Sequence, residues 1–313
     1  INDMPAFFLF RCFYSKVNRL LPYWLIFPLF FGCQINDSPK RTSSNQLFTL
    51  LDPADTGITF ANSLEYSEEI NPYTFRSFYN GGGVGLGDFN NDGLLDVFLT
   101  GNQVSNRLYI NEGGLKFRDI TVEAGLESKG VWSTGVSVVD INNDGLLDIY
   151  VCKSGNPKAI RRKNELFINQ GDLTFKEAAA DFGLDFMGLS IHASFFDYDK
   201  DGDLDCYLLN NSLRTVGIFD FRKDQRNLPD PDGGNKLLRN DNGMFKDVSQ
   251  MAGIYTSKIG FGLGIAVGDI NNDNWTDIYV ANDFFERDYL YVNNHDGTFT
   301  ESLDKRVQEI SLG

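Results

Sequence analysis

One nine-residue pattern recurs four times, and its chemistry and spacing restrict this chain more than any other feature. The first copy is Asp88-Phe-Asn90-Asn-Asp92-Gly93-Leu94-Leu-Asp96, and the second is Asp140-Ile-Asn142-Asn-Asp144-Gly145-Leu146-Leu-Asp148. The third is Asp197-Tyr-Asp199-Lys-Asp201-Gly202-Asp203-Leu-Asp205, and the fourth is Asp269-Ile-Asn271-Asn-Asp273-Asn274-Trp275-Thr-Asp277. Hard cations such as calcium take six to eight oxygen ligands from carboxylates, amides and backbone carbonyls. Side-chain oxygens at positions 1, 3, 5 and 9, with the carbonyl at position 7, can wrap one ion if the chain turns sharply at position 6. Glycine makes that turn without steric cost. Asn274 replaces it in the fourth copy, and asparagine tolerates a left-handed backbone better than most residues.

The candidate ligands are therefore Asp88, Asn90, Asp92, Leu94 (carbonyl) and Asp96, then Asp140, Asn142, Asp144, Leu146 (carbonyl) and Asp148. In the third loop they are Asp197, Asp199, Asp201, Asp203 (carbonyl) and Asp205. In the fourth they are Asp269, Asn271, Asp273, Trp275 (carbonyl) and Asp277. The expected cofactor is Ca2+, about four ions. These are not EF-hands, which need a bidentate Glu at position 12 between two helices. Position 12 is Leu99, Val151, Leu208 or Val280, and each loop runs into a β-prone segment such as Asp148-Ile-Tyr-Val151. Four plain Asp/Asn-rich turns without metal are the alternative, and the repeated acid spacing weighs against it.

A second pattern follows each loop. It reads Asn106 to Asn111 and on to Phe117, then Asn164 to Asn169 and Phe175, Asn235 to Asn240 and Phe245, and Tyr289 to Asn293 and Phe299. The Gly, Asp and Asn between these points favour tight hairpins. A small-residue bend comes next, as in Ala124-Gly125-Leu126, Phe182-Gly183-Leu184 and Ala252-Gly253-Ile254. Loop starts lie 52, 57 and 72 residues apart, while each Phe-to-next-loop interval is 22 to 24 residues. A unit of four short strands with the extra length in loops predicts an all-β fold, a β-propeller with about four blades present. Phe48 to Ile58 reads as the outer strand of a further blade. A fifth loop would begin near position 322, so the chain is expected to be an arc of a larger propeller, a fragment whose edges the missing blades of the same propeller would cover.

The loops and hairpins resemble those of FG-GAP/VCBS repeat proteins, especially the bacterial ASPIC/UnbV-associated group and cartilage acidic protein. The lead-ins Thr56-Gly57-Ile58-Thr59-Phe60 and Asn80-Gly81-Gly82-Gly83-Val84 add to the likeness, which covers residues 47 to 313. It implies a calcium-binding propeller like the head of integrin α subunits. No ASPIC/UnbV-like segment is present, so that module's role does not transfer.

Composition supports this reading. The net charge is −15, and 13 of the 43 acidic residues are side-chain ligands of the loops. Four calcium ions would bring the charge to about −7. By charge count the third loop should bind most tightly. An acidic balance argues against nucleic acid, which needs clustered Lys and Arg. Arg161-Arg162-Lys163 reads as a solvated loop.

At the N-terminus Arg11, Lys16 and Arg19 precede an apolar run from Leu20 to Gly32, then Cys33. A basic region before about 13 apolar residues reads as a signal peptide over residues 1–33. Gly32-Cys33 resembles a bacterial lipobox, which would make Cys33 a lipidation site and the chain a surface or outer-membrane lipoprotein, or otherwise a secreted protein. Membrane contact would be through the lipid alone. Residues 34–46 read as a flexible tether and residues 47–313 as the partial propeller. Cys152 and Cys206, 12 and 9 residues after their loop starts, fall on opposite sheet faces and read as buried free thiols.

Function is read as a non-catalytic binding or scaffold module for a protein or glycan partner at the cell surface. The alternative is a secreted polysaccharide lyase or hydrolase. No catalytic residues are assigned. His192 reads as a core or rim residue and His295 as part of an exposed hairpin. No Gly-x-Ser-x-Gly elbow, Walker loop or zinc cluster occurs. The insertion from Ser212 to Gly234, with Phe219 and Phe221, is either a partner-contact loop or a surface decoration.

Overall fold

Each apolar, β-branched run of the repeat forms a strand, and each loop or hairpin joins two of them. The computed structural model describes residues 47–128, 132–155, 162–212, 224–284 and 286–306. The signal-peptide, lipobox and tether assignments, Arg161, and the Phe219–Phe221 part of the insertion lie outside the described residues.

The first sheet is β1 (Val84–Gly87), β2 (Asp96–Leu99), β3 (Arg107–Asn111) and β4 (Phe117–Asp119). The second is β5 (Trp132–Val139), β6 (Asp148–Ser154), β7 (Glu165–Asn169) and β8 (Phe175–Glu177). The third is β9 (Ser190–Phe196), β10 (Asp205–Asn210), β11 (Lys236–Asn240) and β12 (Phe245–Asp247). The fourth is β13 (Gly262–Gly268), β14 (Asp277–Asn282), β15 (Tyr289–Asn293) and β16 (Phe299–Glu301). Every sheet is an antiparallel meander in chain order. The first strands lie side by side in sequence, β1 against β5, β5 against β9 and β9 against β13. Four such blades make a partial β-propeller. No helix among the described residues is long and apolar enough to cross a membrane.

Three of the core clusters among the described residues are blade-to-blade layers. Phe89, Phe98 and Ile110 of the first blade meet Val136, Ile149 and Phe167 of the second. Tyr150 and Cys152 meet Ala193, Cys206 and Leu208. Tyr207 and Leu209 meet Ile278, Val280, Tyr289 and Tyr291. Fully burying one such Leu, Ile or Val is worth about 1.5–3 kcal/mol, so neighbouring blades hold one another. Small residues on one sheet admit large ones on the next: a Cβ on Gly85 would come within 2.8 Å of Val138. On the outward face of β1, Val84 and Leu86 are 64% and 57% exposed. Cys152 and Cys206 are both buried free thiols. Their opposite faces are real, but because opposite faces of successive blades pack together, both thiols sit in one core layer.

The structure corrects the expectation of a strand over Phe48–Ile58. The chain there forms a short helix, α1 (Pro53–Thr56), because Asp52 caps it by accepting from Ala54 N at 2.9 Å, proline pre-sets its first turn, and Gly57 closes it at φ 84°. Its place in the repeat frame still holds. Gly57 packs on the carbonyl of Phe117 as Gly183 does on Phe245 and Gly253 on Phe299, with no room for a side chain in any of the three.

The segment before the first blade is pinned across the arc. Arg76 bonds Asn211 Oδ1 at 2.8 Å and the Ser212 carbonyl, and its guanidinium lies 4.8 Å from the Phe261 ring centre. The described part of the insertion is also tied down. Asp230 N donates to Thr256 O at 2.6 Å, and Arg226 pairs with the buried Glu286 at 2.6 Å.

Candidate metal centres

All four loops lie between the first and second strands of their blades and share one backbone. Position 4 is left-handed in each (Asn91, Asn143, Lys200 and Asn272, φ 56° to 63°), and so is position 6, including Asn274 at φ 69°. The two reversals coil the chain and point amides inward. In the first loop Asp92 N and Gly93 N donate to the Asp88 carboxylate at 3.0 and 2.7 Å. The second and fourth loops repeat this with Asp140 and Asp269.

Position 9 has a second role that spacing alone does not disclose. Asp96, Asp148, Asp205 and Asp277 are fully buried. Each accepts one backbone N–H from position 2 of its loop and one from the asparagine that opens its hairpin. For Asp205 these are Tyr198 N at 3.1 Å and Asn240 N at 2.9 Å. For Asp148 they are Ile141 N at 3.1 Å and Asn169 N at 2.8 Å. The carboxylate thus staples loop to hairpin while keeping lone pairs for an ion. Burial, reinforced by neighbouring loop carboxylates, pushes Asp148 up to about 6 and Asp205 up to about 7. Asp96 is raised by the same cause.

The loops differ at position 3. Asn90 Nδ2 donates to Asp92 at 2.9 Å, and Asn142 Nδ2 to Asp144 at 2.8 Å, so the amide neutralises one acceptor from within. The third loop has Asp199 there, which has no donor to offer. One oxygen each of Asp197, Asp199 and Asp203 is buried without a hydrogen-bond partner. Burial and the nearby Asp201 raise Asp199 and Asp203 above the usual carboxylate range. One oxygen each of Asp197, Asp199 and Asp205 lies within 4.8 Å of the others. Converging hard oxygens, two of their three carboxylates carrying a buried oxygen without a partner, suit a divalent hard cation. The structure brings these three predicted ligands together, with Asp201 and Asp203 beside them.

In the fourth loop a histidine takes part. His295 Nε2 lies 2.9 Å from Asp273 Oδ2 and holds that carboxyl below its usual range. Its ring stacks on Trp275 with centroids 4.8 Å apart and planes at 13°. Lys200 of the third loop sits 4.5 Å over the same Trp275 ring. The single Asn-His-Asp-Gly hairpin was the only sequence signal for this group. His192 is partly buried on β9, and burial lowers its pKa.

The comparisons agree with the class of fold. Residues 70–151 and 228–280 match the family model described as FG-GAP-like repeat. Those two segments of the chain therefore resemble FG-GAP-like repeats, and the four four-stranded sheets that contain them form a partial propeller fold. It is similar to Cartilage acidic protein 1 of Xenopus tropicalis, 26% identical over 180 residues that cover 56% of this chain and 26% of that protein. The chain thus spans about a quarter of that relative's length. A solved structure of an Agrocybe aegerita lectin, described as recognising non-reducing terminal N-acetylglucosamine, shares 17% identity at a TM-score of 0.36. It covers 69% of this chain and 49% of that one. The third loop lies outside both family-matched segments, yet its blade keeps the same strand order.

Proposed function

We propose that this chain is a calcium-stabilised propeller module that binds a protein or glycan partner at a cell surface without transforming it. The observation that carries the metal part is the third loop, where Asp197, Asp199 and Asp205 converge and one buried oxygen each of Asp197, Asp199 and Asp203 has no hydrogen-bond partner. Asp197, Asp199, Asp201 and Asp205 would hold the ion, with Asp203 completing the loop. In the other loops the corresponding Asp and Asn side chains, with the carbonyls of Leu94, Leu146 and Trp275, would do so. Bound calcium supplies positive charge and fixed coordination. The chain's own residues orient the loop: position 1 gathers the turn amides, and position 9 ties the turn to the hairpin.

The binding role is supported by the repeat class and by how the fold uses its titratable groups. His295 is engaged by Asp273 and Trp275, and Lys153 is buried against Ser128, Ser133 and Glu165. An exported, Cys33-anchored chain would meet millimolar calcium, enough to fill weak extracellular-type sites. The test is to immobilise the chain and challenge it with polysaccharides and purified surface proteins in calcium. Retention, release by EDTA and chemically unchanged eluate are expected. Shortened or unsaturated saccharides in the eluate would contradict the non-catalytic reading.

A further inference from the structure

Each hairpin is opened by an asparagine whose backbone N–H binds position 9 of its own loop. The side-chain amide of that residue then does one of two things. Among the described residues, Asn111 and Asn240 donate only to position 8 of their own loops, Leu95 O at 3.0 Å and Leu204 O at 3.2 Å. Asn169 and Asn293 also reach the loop of the preceding blade. Asn169 Nδ2 donates to Phe89 O at 2.9 Å and Leu147 O at 3.2 Å. Asn293 Nδ2 donates to Tyr198 O at 2.8 Å and Thr276 O at 3.3 Å.

Phe89 and Tyr198 are the position-2 residues whose N–H groups bind Asp96 and Asp205. An unbroken path therefore runs from the position-9 carboxylate of one loop, through one residue and one asparagine, to the position-9 carboxylate of the next. Asp96, Phe89, Asn169 and Asp148 make one path. Asp205, Tyr198, Asn293 and Asp277 make the other. Two contacts reinforce the pairs: Asn91 Nδ2 donates to Gly145 O at 3.4 Å, and Lys200 lies over Trp275. Between the second and third loops, Asn240 makes no such bond among the described residues.

We propose that the loops load calcium in two coupled pairs, the first with the second and the third with the fourth, through the side-chain amides of Asn169 and Asn293. This rests on the calcium reading above. An ion that orders the third loop fixes the Tyr198 carbonyl, which fixes Asn293, which holds both the Thr276 carbonyl and, through its N–H, Asp277. The fourth loop then loses less freedom when its own ion arrives, which is positive coupling without a large movement. Thermodynamic reciprocity requires the same factor in both directions.

The test is a calcium titration of the whole chain followed by the fluorescence of Trp275, which sits in the fourth loop. Asp197→Asn is used to empty the third loop. In the otherwise native chain, emptying the third loop should raise the calcium midpoint of the fourth by about fivefold. In an Asn293→Ala background the shift should vanish. In an Asn240→Ala background, which loses equivalent own-loop bonds but no cross-link, it should persist. A shift that survives Asn293→Ala, or is absent from the native background, overturns the proposal. If Asn293→Ala fails to fold, calorimetry on Asn169→Ala with the first loop emptied by Asp88→Asn decides by the same logic. No calcium binding by any loop would instead remove the metal reading itself.

Discussion

The third loop and its three counterparts share a backbone but not a charge balance. In the first and second loops an asparagine at position 3 feeds a proton donor to the carboxylate at position 5. In the fourth a histidine from the neighbouring hairpin serves the same carboxylate. The third replaces the asparagine with Asp199, and three buried carboxylate oxygens are left without partners. The difference between an amide NH2 and a carboxylate O at position 3 separates turns that donate one hydrogen bond within the loop from one whose buried acceptors are left unpaired. What all four have in common is the position-9 staple, which serves the fold whether or not metal is bound.

The largest expected effect tests that common part. Asp205→Ala and Asp148→Ala each strand two backbone N–H groups, so each should cost about 2–6 kcal/mol, at about 1–3 kcal/mol per unsatisfied group. Equal losses by denaturant unfolding in EDTA would confirm that the staple is independent of position 3, whereas a much smaller loss in the second loop would break the comparison. Next comes Asp199→Asn, which gives the third loop its neighbours' chemistry. Calorimetry should show its tightest calcium site weakened by about tenfold or more, since affinity follows ligand charge. The reverse change, Asn90→Asp, should lower metal-free stability by about 1 kcal/mol by adding an uncompensated carboxylate. The same variant should bind calcium more tightly at the first loop.

The smallest effect is on pH dependence. Burial raises Asp148 to about 6 and Asp205 to about 7, above the ordinary carboxylate value near ~4. Between about pH 4 and 7 the folded chain therefore holds protons that the unfolded chain releases. Metal-free stability should fall as pH rises through that window and be greatest at its acid end. Calcium competes with those protons, so in excess calcium the trend should reverse. Melting curves at pH 5 and pH 7.5, with EDTA or calcium, check both signs.

Much of this was legible because it is local. The nine-residue loop pattern, the left-handed position 6 and the alternation of apolar residues lie within one repeat, so fold class and ligand candidates could be read directly. What joins repeats could not. The reach of Asn293 to Tyr198 spans 95 positions, and that of Asn169 to Phe89 spans 80. Lys200 over Trp275 and His295 against Asp273 likewise depend on which loops become neighbours. Phe48–Ile58 fits the repeat pattern of an outer strand, but Asp52-Pro53 within it is a stronger local signal for a helical turn. The shared core layer of Cys152 and Cys206 followed from blade stacking, which face parity does not reveal.

The central claim is that these loops hold calcium and that the fold depends on it. A thermal melt of the chain in EDTA, in magnesium and in millimolar calcium tests this most directly. A rise of many degrees in calcium that magnesium does not reproduce, reduced by Asp199→Asn, is the predicted result, because a ligand bound only by the folded state stabilises it. Identical melting curves in EDTA and calcium would contradict the account and leave the four loops as plain turns.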